Sequence, residues 1–221
     1  IKPFRYNKPA NIEGTLSLKA YLENEYLKEI DNLSIKTTNL NFENARLLFA
    51  QDAKKETDLK RGNLPKLNIG RTNISAEFEV ISGSLLKIVA KGTAFDALPF
   101  MNSSEQSKSQ VENPVTSVVN AEDDELPMEI SLTADQMFLK NNQSFRNVQL
   151  YLKTDKDSDP THIEMDAQAG TGPMYVRFKP NAGNGERQFM SESQDGGAVL
   201  RGLGIYKHIR GGKLSIAGRP K

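Results

Sequence analysis

The chain has 221 residues, with 29 Lys and Arg against 28 Asp and Glu. A net charge of +1 gives no global field to steer it toward nucleic acid or an anionic surface. Cysteine is absent, which excludes disulfides, thiolate catalysis and thiolate metal sites.

The length allows one large domain or two small ones. No stretch approaches the roughly 20 apolar residues of a membrane helix, and no signal-peptide pattern is present. The sequence starts at Ile1 without a methionine and stops at Lys221 soon after a strand-like run. It is therefore expected to be a segment of something longer.

Period-two alternation dominates the chain from its N-terminal side onward. In "TLSLKAYL" (15–22), Leu16, Leu18, Ala20 and Leu22 share one face and Thr15, Ser17, Lys19 and Tyr21 the other. Less regular runs at 33–42 and 85–91 are expected to add strands. "NISAEFEV" (73–80) sets Ile74, Ala76, Phe78 and Val80 against Asn73, Ser75, Glu77 and Glu79. Residues 1–101 thus read as a β-rich segment. "AFDALPFM" (94–101) ends it with one expected helical turn capped by Asp96.

Residues 102–126 are Ser-rich, polar and acidic toward their end, as a flexible loop or linker is. A binding tail is the less favoured reading. Alternation then returns in "MEISLTAD" (128–135), "NVQLYLK" (147–153), "HIEMDA" (162–167) and "MYVRFK" (174–179). "KNNQSF" (140–145), "TDKDSDPT" (154–161) and "NAGNGE" (181–186) are turn-rich links between such runs. Residues 127–193 therefore read as a meander of about five strands, within a second β segment over 127–221. One apolar and one polar side on nearly every strand is the mark of an antiparallel sheet with one wet face.

No catalytic apparatus is legible. The two histidines are His162, beside Glu164 and Asp166 on a polar strand face, and His208, between Lys207 and Arg210. The first pattern has metal-ligating residue types, but a wet strand face carries such residues in any case. His208 reads as a surface histidine. Carboxylates for glycoside chemistry are plentiful, and no pair stands out. "GGKLS" (211–215) lacks the upstream glycine of a phosphate loop, and "GLGIYK" (202–207) offers only half of a dinucleotide fingerprint.

"DGGAVLRGLGIYKHIRGGKLSI" (195–216) poses a choice between an anion cradle and a structural helix. Asp195 is expected to cap a short helix over 195–204, with Ala198, Val199 and Leu203 on its apolar stripe. Gly204 is expected at the left-handed C′ position, with Ile205 closing on Leu200. Gly197 and Gly202 would permit close docking. An anion would need the helix N-terminus, where Asp195 already places a carboxylate. The structural reading is therefore favoured.

The stretch "SESQDGGAVLRGLGIYKHIRGGKLSIAG" (191–218) resembles a motif of the AsmA-like family, in particular its YhdP-type branch. Asp195, Gly197, Ala198, Leu200, Leu203, Gly211, Gly212 and Leu214 match in order. "SLTADQMFLKNNQSFRNVQLYLK" (131–153) and "GTAFDALPFM" (92–101) resemble further elements of that family. The resemblance covers roughly 70–218 and is densest at 191–218; the 102–125 stretch looks like an insertion.

The resemblance implies a mainly β, curved, open antiparallel sheet with one or two short helices. It implies the periplasmic part of an inner-membrane-anchored envelope protein that moves phospholipid toward the outer membrane. The implied partners are a phospholipid or other acyl-chain ligand and the remainder of the same chain, with no cofactor, catalytic residue, metal or nucleic acid. Groove-lining candidates are Met128, Ile130 and Leu132, then Val148, Leu150 and Leu152, then Ile163 and Met165, then Met174, Val176 and Phe178. Asp195, Gly204, Gly211 and Gly212 are its structural motif. An envelope scaffold or protein-interaction module is the alternative, and a carbohydrate-active enzyme a more distant one.

Overall fold

The computed structural model describes residues 13–51, 57–82, 84–102, 126–180 and 186–219. Twelve strands follow one another in the sheet in chain order, and that order does not close on itself. Two compact units, 1–91 and 92–221, divide inside a strand. That division falls near residue 91, within the expected 1–101 segment. Of the expected 102–126 linker, only Asn102 and Leu126 are among the described residues.

The first unit holds β1 (Gly14–Glu23), β2 (Tyr26–Thr37), β3 (Leu40–Gln51), β4 (Thr57–Ile69), β5 (Thr72–Ile81) and the first half of β6 (Leu85–Asp96). The run at 33–42 is not one strand but the β2–β3 hairpin, turning at Thr38 and Asn39. Asn32 and Asn44 carry the positive φ values of 51° and 57° beside register shifts in this pair. Each extra residue moves the following side chains to the other face. Apolar residues still line up across the strands: Leu16, Ile35, Phe42, Leu67 and Ile74 form one row. Ala20, Ile30, Leu47, Gly62 and Phe78 form another. A Cβ on Gly62 would run into the Phe78 ring. No described helix lies in this unit, and only Ala45, Ile74 and Ala90 are buried among its described hydrophobic side chains. Arg46–Glu29 (2.6 Å) and Lys66–Glu43 (3.2 Å) pair across strands at the surface, where such bridges add little stability.

The second unit continues from β6 into α1 (Leu98–Asn102), with Leu98 N–H donating to Asp96 Oδ1 at 3.1 Å. The expected Asp-led turn is therefore present. Next come β7 (Met128–Phe138), β8 (Ser144–Thr154), β9 (Pro160–Ala169), β10 (Gly172–Pro180), β11 (Arg187–Ser193), α2 (Gly196–Gly202) and β12 (Leu214–Gly218). Each of β7 to β12 pairs antiparallel with its chain neighbour. β7 to β11 are the five-strand meander expected over 127–193.

The mostly antiparallel expectation holds with one exception, because the sheet is mixed. Ala97 N–H donates to Phe138 O at 3.0 Å, which brings the ends of β6 and β7 to the same side, as parallel strands require. A parallel pair needs a crossover of about a dozen residues or more, and the chain from 97 to 127 is long enough.

Alternation fixes which side of this unit is apolar, and α2 covers part of that side. Ala198 and Val199 of α2 are buried with Met137, Leu139, Phe145, Val148, Ala167, Ala169 and Met174. Phe145, expected in a loop, is the largest fully buried side chain. It lies in β8, next after Ser144, rather than ending the link. Asn147, at φ 51°, accompanies a register shift here, so Phe145 and Val148 reach the same core three residues apart.

Candidate functional site: an apolar sheet face covered at one end

Three cross-strand rows make the apolar face of the second unit. The first runs Ala134–Val148 and, on the next strands, Ala167–Met174–Ser193–Leu214. The second runs Leu132–Leu150–Met165–Val176–Ser191–Ile216, and the third Ile130–Leu152–Ile163–Phe178–Phe189–Gly218.

α2 closes the first row. Asp195 Oδ1 accepts from Ala198 N–H at 2.9 Å, and Asp195 N–H donates to Ser193 Oγ at 3.1 Å. The helix therefore starts directly from β11 with its first turn capped. It ends in a Schellman arrangement: Ile205 N–H donates to Leu200 O and Gly204 N–H to Arg201 O, both at 3.0 Å, with Gly204 at φ +78°. Gly202 lies against Leu139, where a Cβ would come within 2.9 Å of Cδ1. Gly197 instead faces the returning loop, where a Cβ would lie 2.7 Å from Gly211 N. Gly196 N–H and Gly197 N–H donate to Gly212 O and Gly211 O at 2.6 and 2.9 Å. The two left-handed glycines of the motif thus bind the loop to the helix start rather than cradling an anion.

One expectation about α2 is corrected: Leu203 is the C-cap and 42% exposed, off the buried stripe. Leu203 keeps helical φ and ψ of −75° and −11° and donates to Val199 O at 2.9 Å, so it belongs to the last turn without joining the buried residues. The Ile205 backbone closes on Leu200 as expected, with its side chain 57% exposed. Arg201 turns back to Gln143 Oε1 and to Ile209 O.

The groove candidates separate by burial. Leu132, Val148 and Met174 are only 4%, 0% and 3% exposed, so they are core and do not line an open surface. Leu150, Met165 and Val176 are half-buried at the margin of that core. Met128, Ile130, Leu152, Ile163 and Phe178 are also half-buried, but none belongs to the packed cluster around α2. Ile163 and Phe178, with Pro160 and Phe189, line a depression of about 310 Å³. Arg187 stands at its rim, with its guanidinium 6.0 Å from the Phe178 ring centroid.

Of the lining residues that alternation misses, Pro160 lies at the end of the expected link and Phe189 on β11. The companions of Phe189 on that face of β11 are Ser191 and Ser193, both buried. A face with two serines has no apolar period to read.

The opposite face is polar and cross-linked. Arg177 holds both Asp166 carboxylate oxygens at 2.7 Å. His162 Nε2 lies 3.1 Å from Glu164 Oε1, Lys179 Nζ lies 3.5 Å from the same atom, and the Tyr151 ring meets His162 edge-on. The hydrogen bond with His162, then the charge of Lys179, hold the Glu164 carboxyl below its ordinary range. The sequence pattern His162–Glu164–Asp166 is thus split, with Asp166 turned to Arg177. Among the described residues no three His, Asp or Glu side chains gather as an ion site. His208 is exposed.

No family model matches the chain, and no curated protein and no solved structure matches it.

Proposed function

We propose that the uncovered part of this apolar face binds the acyl chains of a phospholipid, and that the chain is a non-enzymatic section of an AsmA-like envelope conduit. The carrying observation is the third row: Ile163, Phe178 and Phe189 line a depression that α2 does not reach. An apolar surface beside a finished core is what soluble proteins seldom keep without an occupant. Arg187 at the rim supplies a cation for the phosphate of such a lipid. The resemblance at 191–218 supports the same reading and adds its setting, the periplasmic part of an inner-membrane-anchored chain. Among the described residues no helix is long and apolar enough to cross a membrane.

The alternative is an envelope scaffold or interaction module. The dry packing of Val148, Met174 and Phe145 beneath α2 favours it at that end of the face. Extraction of the purified protein followed by lipid mass spectrometry separates the two readings. Stoichiometric phospholipid is expected, and a lipid-free protein would favour the scaffold.

A further inference from the structure

We infer that the loop 203–213, which follows α2, is a docking surface for a bilayer containing anionic lipid. The inference does not rest on the acyl-chain reading of the sheet. Its first ground is charge. From Gly196 to Lys221 there is no Asp or Glu, while Arg201, Lys207, Arg210, Lys213, Arg219, Lys221 and His208 all fall there. That stretch is cationic in a chain whose net charge is only +1.

The second ground is what the same loop exposes. Leu203, Ile205, Tyr206 and Ile209 are 42%, 57%, 57% and 41% exposed. Lys207, Arg210 and Lys213 are exposed between and beside them, and none has a hydrogen-bonded or ion-pair partner among the described residues. Aliphatic and Tyr side chains interleaved with Lys and Arg suit the headgroup boundary, where apolar ends enter and cations meet lipid phosphates.

The third ground is that the display is built. Ile205 and Tyr206 N–H both reach Leu200 O, at 3.0 and 3.3 Å. Gly211 and Gly212 carbonyls hold the far end against the start of α2, and Arg201 fastens Ile209 O between them. Asn141 Nδ2 further ties Arg201 O at 2.8 Å. These bonds fasten both ends of the loop while its apolar side chains stand exposed. A polyanion such as RNA would use the cations but gain nothing from two isoleucines and a leucine, so a bilayer fits better.

Flotation with vesicles of equal parts phosphatidylcholine and phosphatidylglycerol tests this. The protein should float with these vesicles, should stay behind with phosphatidylcholine alone, and should be released by salt. Lys207→Gln and Arg210→Gln should each weaken binding about fivefold, given about 1 kcal/mol per basic residue near such a surface. The combined Ile205→Ser, Tyr206→Ser, Ile209→Ser variant should lose flotation while keeping its circular dichroism. The protein has no tryptophan, so Tyr206→Trp gives a single reporter whose emission should shift to the blue on mixed vesicles. Unchanged emission would overturn the inference. So would equal flotation of the triple serine variant, or polyadenylate RNA binding that variant as well as the parent and displacing the parent from vesicles.

Discussion

The carboxylate of Asp195 fills the space beside the Gly170 α-carbon where a Cβ would stand. Gly170 turns β9 into β10 at φ +56°, and Ala198 Cβ closes the same space at 2.9 Å. The hairpin and the helix cap therefore fit together only because residue 170 lacks a side chain.

Gly70 is the natural control for this contact. It turns β4 into β5 at φ +55° with nothing within 4 Å of a built Cβ. Gly70→Ala should cost about 1 kcal/mol, the strain of a left-handed alanine. Gly170→Ala carries that strain and also displaces the cap, so it should cost about 1 kcal/mol more. Urea melts of the two variants check the difference, and equal losses would mean the cap yields freely.

The cap makes its own prediction. Asp195→Ala should destabilise by about 1 kcal/mol, with Asp195→Asn largely restoring the loss because its amide oxygen can still accept from Ala198 N–H. Inorganic phosphate should not raise the melting temperature of the parent protein. Specific stabilisation by phosphate, lost in Arg210→Gln, would show an anion site where the structure has a closed helix start.

Much of this arrangement was legible in the sequence, and the reasons differ by element. Asp195 and Gly204 announce themselves because caps depend on residue types at fixed offsets. β7 to β10 announce themselves because their apolar faces keep period two over most of each strand, the shift at Asn147 that hides Phe145 being an exception. The β2–β3 hairpin was hidden because left-handed Asn32 and Asn44 shift that period within the strands. At the site, alternation found the face but not its division. Val148 and Phe178 share the same pattern, and only the docking of α2 buries one and leaves the other half-exposed. Nothing local to either strand encodes that difference.

Gly204 tests the other end of α2. At φ +78°, a Cβ there would first meet the Lys140 side chain, nearest at Cδ 2.7 Å away. That flexible chain can move, so Gly204→Ala should cost only the left-handed strain of about 1 kcal/mol, and Gly204→Asn less. Thermal melts showing no loss for alanine would mean that the helix end relaxes to another form.

The polar face predicts a response to acid. Glu164 is held below the ordinary carboxylate range, chiefly by His162 and then by Lys179. A carboxylate whose folded pKa is depressed stabilises the fold above its unfolded pKa, and that stability is lost as pH falls through the folded value. Stability should therefore decline on acidification below about pH 4.3, and Glu164→Gln should flatten this decline while leaving its neutral-pH fold intact. Unfolding midpoints against pH in both proteins give the answer; parallel curves would remove Glu164 from the acid response.

The division of the apolar face gives the sharpest functional test. Val148 is 0% exposed within the cluster under α2, so Val148→Asp buries a carboxylate without a partner. That costs several kcal/mol, about enough to unfold a domain of ordinary stability. Phe178 is half-buried and lines the open depression, with Arg187 close to its ring. Phe178→Asp keeps access to water and gains a cation nearby, so it should lose only about 1–2 kcal/mol of apolar burial and remain folded. Leu150, at the margin of the core, is the poorer choice because its substitution mixes both effects. If acyl chains occupy the depression, folded Phe178→Asp should yield little or no phospholipid on extraction, while Gln149→Ser on the exposed polar face should match the parent. A Phe178→Asp protein that folds and still carries stoichiometric phospholipid would move the lipid off this face. One that unfolds like Val148→Asp would make the third row part of a dry core, as the scaffold reading requires.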